Sequence, residues 1–257
     1  MRVLITRPAG TWPALQARFA GTPIVIQMTE TTAQVDPIDA RPGDAAVDRL
    51  DRYDWLVATS ARGVSALSGL LARRGRSGLP AELHVAAVGP ATARALAAIG
   101  ARVDCVAENP SSDGVAAALG PRLFAGARVL LIRPEGAPGP LADALRGGGA
   151  VVDEAPLYRT IASGHASALA DAAIAGEFAV VVFTAPSAID LWLEAAGSRR
   201  GALASALARA ARAAIGPTTA ARLSSLGLPA AEVAEAPREE AVGDAIARLV
   251  RSIDLLT

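Results

Sequence analysis

The stretch AAVGPATARALAAIG, residues 86–100, is written a second time as AAIGPTTAARLSSLG, residues 213–227. Each copy reads as the end of an apolar strand, a Gly-Pro corner, a threonine and a helix. Three further pairs recur in the same order at nearly the same separation. VLITRP and VLLIRP place Arg7 and Arg133 126 residues apart, and VATSARGVSAL and VFTAPSAIDLW place Thr59 and Thr184 125 apart. ENPSSDGVAAAL and EAPREEAVGDAI place Pro110 and Pro237 127 apart, the same interval that separates Gly89 from Gly216. Chance similarity among alanine-rich helices accounts for one such pair but not for four, so the chain contains an internal duplication. Two long copies within 257 residues describe a pair of domains and not a solenoid.

Short apolar runs alternate with helical patterns along both copies. VLIT (3–6), IVIQM (24–28), WLVAT (55–59), HVAAVG (84–89) and VDCVA (103–107) read as strands. So do RVLLIR (128–133), VVDEAPLY (151–158), FAVVVFT (178–184), RAAIG (212–216) and AEVAEA (231–236). Most are continuously apolar, as strands covered on both faces are. Helical segments separate them, among them ARGVSALSGLLARR, ATARALAAIG, APSAIDLWLEAAG and TTAARLSSLG. This alternation predicts an α/β architecture with parallel sheets. Ten strands exceed one modest sheet and suit two sheets of five. LRGGGA (145–150) follows a helix and reads as its cap and turn, not as a phosphate loop.

Composition then excludes several classes of function. Hydrophobic residues make up 52% and charged residues 19%, enough for a substantial core, while aromatic residues are only 4%. Basic and acidic residues balance at 25 each, so no excess charge exists to hold a nucleic-acid backbone. The chain has no lysine, which removes Schiff-base chemistry and a P-loop lysine. Cys105 is the only cysteine and His84 and His165 the only histidines, so neither a disulfide framework nor a recognisable metal site is expected. The opening MRVLITRPAG is too short an apolar run for an export signal, and no stretch approaches a membrane span. A soluble, cytoplasmic protein is expected.

What remains are the duplicated corners. Gly89 and Gly216 each precede a proline at a first helical position, with Thr92 in one first turn and Pro217, Thr218 and Thr219 in the other. Thr59 with Ser60, and Thr184 followed by Ser187, form a second kind of corner. Such residues ordinarily cap helices. Repeated four times at the carboxyl ends of parallel strands, beside open helix N-termini, they point instead to a shared anionic ligand. No nucleophile elbow, zinc-binding motif or dinucleotide fingerprint accompanies them. The tryptophans at 12, 55 and 192 are too far apart for a stacking platform and are assigned to packing.

LITRP, ATSARGVSAL, AVGPATARALAAIGA, LYRT, FTAPSAIDLW and AAIGPTTAARLSSLGLP followed by EAP together resemble the uroporphyrinogen-III synthase family, in order, from Val3 to about Val250. The resemblance implies two flavodoxin-like parallel-sheet lobes joined by a two-stranded linker, the second inserted in the first. Carried over, lobe one is 1–35 plus 163–257, lobe two is 39–157, and 36–38 with 158–162 form the connecting ladder. The sequence repeat divides near residue 127 instead, so the first βα units have exchanged places between halves. The implied activity is cofactor-independent cyclisation of hydroxymethylbilane, an octacarboxylate, with inversion of ring D and loss of water. The implied setting is a cytoplasmic monomer in transient contact with hydroxymethylbilane synthase, with no nucleic acid and no membrane. Tyr158, in PLYRT, matches the family tyrosine and is the implied catalytic group. Arg7, Thr59, Ser60, Gly89, Thr92, Arg133, Thr184, Ser187, Gly216, Pro217, Thr218 and Thr219 are the implied substrate-binding residues. Ala185 departs from the serine more usual there, and Ala61 from a frequent proline. A non-catalytic two-lobed protein that binds or senses a small anion is the competing reading.

Overall fold

The computed structural model describes residues 1–109, 111–137 and 139–254; Pro110, one of the repeat positions above, and Pro138 lie outside the described residues. The chain divides into two compact units. One comprises Met1–Ala33 with Ile161–Thr257, the other Gln34–Thr160.

The first unit contains strands β1 (Arg2–Ile5), β2 (Val25–Met28), β9 (Val180–Phe183), β10 (Ala211–Ala214) and β11 (Glu232–Val233). They form one sheet in the order β11-β10-β9-β1-β2, every pair parallel. Counted along this unit the order is 2-1-3-4-5, the flavodoxin-like winding. Its helices are α1 (Pro13–Phe19), α7 (Ala166–Ile174), α8 (Pro186–Ala195), α9 (Arg200–Arg209), α10 (Pro217–Ser225) and α11 (Glu239–Asp254). Two cores result, one on each sheet face. Leu4, Val181 and Phe183 pack under α7–α10 with Trp192, whereas Val3, Ile5 and Val182 pack under α1 and α11. The four residues of β9 are all fully buried, which is why the run VVVF shows no polar alternation.

The second unit contains β4 (Trp55–Ala58), β5 (His84–Ala87), β6 (Cys105–Val106), β7 (Arg128–Pro134) and β8 (Val151–Ala162). With β3 (Thr32–Val35) the sheet order is β3-β8-β7-β4-β5-β6. The helices are α2 (Arg41–Asp48), α3 (Ala61–Arg73), α4 (Pro90–Ala98), α5 (Ser112–Leu119) and α6 (Pro140–Gly147). Placed side by side, β8-β7-β4-β5-β6 has the same spatial pattern as β2-β1-β9-β10-β11. Each unit therefore takes its first two strands from one sequence copy and its last three from the other. Chain order is permuted while the packing of strands is retained. The chain passes between units within β3 and within β8, which are hydrogen-bonded neighbours.

The differences from the sequence expectation have simple causes. β3, with the sequence TAQV, has no continuous apolar run, so it does not announce itself as a strand. α2 and α11 carry internal glycines that lower helix propensity. Both glycines are packing positions. A Cβ on Gly43 would lie 2.7 Å from Leu157 Cδ2, and one on Gly243 would lie 2.8 Å from the Arg18 guanidinium. β8 runs to Ala162, past the expected Tyr158, with an irregularity opposite Arg133 and Pro134.

Candidate active site

In doubly wound sheets, ligands bind beyond the carboxyl ends of strands where the winding reverses. In the second unit that place lies between β7 and β4, and four of the expected residues meet there. Thr59 donates its hydroxyl to the Ile132 carbonyl at 3.2 Å, tying the end of β4 to β7. Ser60 has extended backbone and is the N-cap of α3; its Oγ accepts the Gly63 N–H at 3.0 Å. The same Oγ lies 3.0 Å from the Tyr158 hydroxyl, which β8 delivers from the far side of β7. Tyr158 is only 8% exposed. Arg133, at the end of β7, is paired with Glu154, which also takes Arg146. Its charge is already matched within the protein.

A cavity of about 410 Å³ opens beside this cluster, lined by Tyr158, Arg62, Ser65, Gln34, Val35 and Asp36. Arg62 occupies the second position of α3, and its exposed guanidinium has no ion pair among the described residues. The expected site did not include Arg62. Its signal was ARG directly after the Thr-Ser corner, in a chain whose other corner arginines pair or stack.

The reversal point of the first unit lies between β1 and β9. Thr184 donates to the Thr6 carbonyl at 2.6 Å, and its N–H donates to Thr6 Oγ1 at 3.1 Å. Thr6 in turn donates to the Val182 carbonyl at 3.2 Å. These hydroxyls hold two strand ends together, the same use to which Thr59 is put. Ala185 provides no side-chain cap for α8, and Ser187 stands at the second position of that helix. Arg7 bonds Thr11 at 2.9 Å and stacks 4.1 Å above the Trp12 ring.

The Gly-Pro corners form the third element. Gly89 and Gly216 are extended residues preceding α4 and α10, and neither helix has a side-chain cap. The first-turn N–H groups therefore lack the usual intramolecular acceptor. Thr92 and Thr219, at matching positions, are each 3% exposed, yet neither hydroxyl has a hydrogen-bond partner among the described residues. No enclosed side-chain polar atom among the described residues is unpartnered, so both hydroxyls keep an edge to solvent. Thr218 is exposed, Pro217 opens the helix, and a Cβ on Gly216 would meet nothing within 4 Å. Of the helices opening at these four corners only α3 has a side-chain cap.

The tryptophans and His84 serve structure. Trp192 is fully buried and donates to the Ala166 carbonyl at 3.0 Å, and Trp55 stacks on His84. Among the described residues no cluster of histidine, cysteine and carboxylate side chains suits a metal, and no helix is long and apolar enough to cross a membrane.

Two flavodoxin-like units, with hydroxyls and uncapped helix N-termini at their strand ends and one phenol beside a serine hydroxyl, define a paired α/β protein. The family model described as Uroporphyrinogen-III synthase HemD matches residues 13–243. A relative from Methanothermobacter thermautotrophicus is 34% identical over 208 residues, covering 80% of each chain. The uroporphyrinogen-III synthase of Synechococcus elongatus is 33% identical over 162 residues, 62% of this chain and 60% of that one. The fold matches a mutant uroporphyrinogen III synthase of Thermus thermophilus at a TM-score of 0.71 and 22% identity, covering 98% of this chain and 99% of that one. It matches the Helicobacter pylori enzyme at 0.60 and 18% identity, covering 97% and 100%. The chain belongs to the uroporphyrinogen-III synthase family, lyase-type enzymes of tetrapyrrole synthesis.

Proposed function

We propose that the protein closes hydroxymethylbilane to uroporphyrinogen III, inverting ring D and releasing water. The pair of Tyr158 and Ser60 at 3.0 Å, in a chain of this family, carries the reading. Ring closure without a catalyst gives the symmetrical isomer, so the enzyme must hold the linear chain in the fold that favours attack at the inverted position. That is a task of positioning. The uncapped N-termini of α4, α8 and α10, with Thr92, Ser187, Thr218 and Thr219, supply donors for substrate carboxylates. Arg62 supplies a cation beside Tyr158. Tyr158 donates its proton to the departing hydroxyl. Thr59, Thr184 and Arg133 shape the strand ends, since their polar groups are engaged within the protein.

The same reading places the protein in the cytoplasm as a monomer that takes its substrate from hydroxymethylbilane synthase. The test is an isomer assay: hydroxymethylbilane is generated in place, purified protein is added without metal or cofactor, and the oxidised uroporphyrins are separated. Type III product supports the reading. Type I alone from a folded protein sinks it, and leaves a non-catalytic anion-binding protein on the same scaffold.

A further inference from the structure

Ser60 Oγ sits at a junction of three groups. It has one proton to give and two lone pairs, and the Tyr158 hydroxyl is built the same way. The Gly63 N–H takes one serine lone pair. Tyr158 Oη is the only acceptor for the serine proton among the described residues. Were the phenol to give its proton to Ser60, its single donor would be spent inside the protein and the serine proton would have no acceptor. Accepting an N–H at the positive end of a 13-residue helix also polarises Oγ and strengthens its O–H as a donor. Gly63 leaves room beside the pair: a Cβ there would lie 3.3 Å from Ser60 Oγ and 3.8 Å from Tyr158 Cε1.

We infer that Ser60 is a positioning residue: it donates to Tyr158 Oη and leaves the phenolic proton free for the cavity that Tyr158 and Arg62 line. The inference rests on Tyr158 being the proton donor proposed above. In the step itself the substrate C–O bond breaks with its electron pair on oxygen, and the phenolic proton completes a water molecule. The phenolate so formed is held by the Ser60 O–H. It regains a proton when the tetrapyrrole loses one on ring closure, so the sum is one water released.

The test uses Ser60→Thr, Ser60→Asp, Tyr158→Phe and the double variant Ser60→Asp/Tyr158→Phe in the coupled isomer assay. Aspartate caps the Gly63 N–H as well as serine does, but it only accepts, so the phenol must turn its proton toward it. Ser60→Thr keeps kcat within about threefold, and Ser60→Asp brings kcat to within about threefold of Tyr158→Phe while KM moves less than about twofold. In the Tyr158→Phe background Ser60→Asp adds no further loss. A wild-type kcat in Ser60→Asp, a change confined to KM, or losses that multiply in the double variant overturns the inference. Urea unfolding checks that each variant folds. Should Ser60→Asp not fold, Ser60→Gly removes the donor at little cost to the helix start. A kcat loss in Ser60→Gly that disappears in the Tyr158→Phe background then supports the inference, and a loss that persists overturns it. A harmless Tyr158→Phe overturns both readings together, whereas a damaging Tyr158→Phe with a harmless Ser60→Asp overturns only the role of Ser60.

Discussion

The two units repeat one strand pattern and use it differently at the winding reversal. In the first, Thr6 and Thr184 bond each other and the adjoining carbonyls, and the corner is closed upon itself. In the second, Thr59 does the corresponding structural work alone, which frees Ser60 to cap α3 and to meet Tyr158. The counterpart of Ser60 is Ala185, and the repeat offset sets Thr32 against Tyr158. Duplication thus supplied two equal frames, and two side-chain differences placed the only phenol–hydroxyl pair among the described residues in one of them. At the Gly-Pro corners the units stay alike, since Thr92 and Thr219 are equally buried and equally unpartnered among the described residues.

The contrast between the units is most directly broken at Tyr158. Tyr158→Phe is expected to lower kcat by roughly tenfold to a hundredfold, less than loss of an indispensable acid, because positioning carries most of the barrier reduction. The coupled isomer assay measures it; complete loss of activity in a folded variant would mean proton donation dominates.

Next in size is an alkaline effect on the second unit, which holds both tyrosines of the chain. Burial, together with a hydrogen bond to Asp153 at 2.7 Å, pushes the Tyr53 hydroxyl up to about 12. The unfolded chain releases this proton near its ordinary value of about 10, so the folded state holds more protons between the two. The Tyr53 contribution to stability is therefore level below about pH 10 and falls by up to about 2 kcal/mol as pH rises to about 12. With no lysine to titrate in that range, urea unfolding at successive pH values measures the slope. Tyr53→Phe should flatten it; an unchanged slope would place the alkaline sensitivity elsewhere.

The smallest expected effects separate engaged hydroxyls from open ones. Thr184→Val removes the bond to the Thr6 carbonyl and should cost about 1–2 kcal/mol of stability. Thr219→Val removes a hydroxyl without a partner among the described residues, so stability should change by less than about 0.5 kcal/mol. Its effect should fall on KM, raised roughly threefold to tenfold. Denaturant melts and steady-state kinetics on the two variants decide the matter, and a reversal of the two results would reassign which threonines face substrate.

The sequence alone established the duplication, the parallel α/β class and the positions of the corners, because each rests on short-range information. A buried parallel strand needs a continuous apolar run, and a helix opening needs proline or a cap within a few residues. VVVF at 180–183 and the two Gly-Pro corners carry that information in full. Three things required the tertiary structure. One is which strands lie side by side, since the permuted order of the second unit brings β7 beside β4 across 69 intervening residues, 59–127. Another is the use of each hydroxyl: Thr59 and Thr219 look equivalent as letters, yet one bonds a neighbouring strand and the other has no hydrogen-bond partner among the described residues. The third is the meeting of Ser60 with Tyr158, 98 residues apart. Hydrogen bonds are made over about 3 Å of space with no regard to separation along the chain. Only the packing of β8 against β7 brings that phenol to the start of α3.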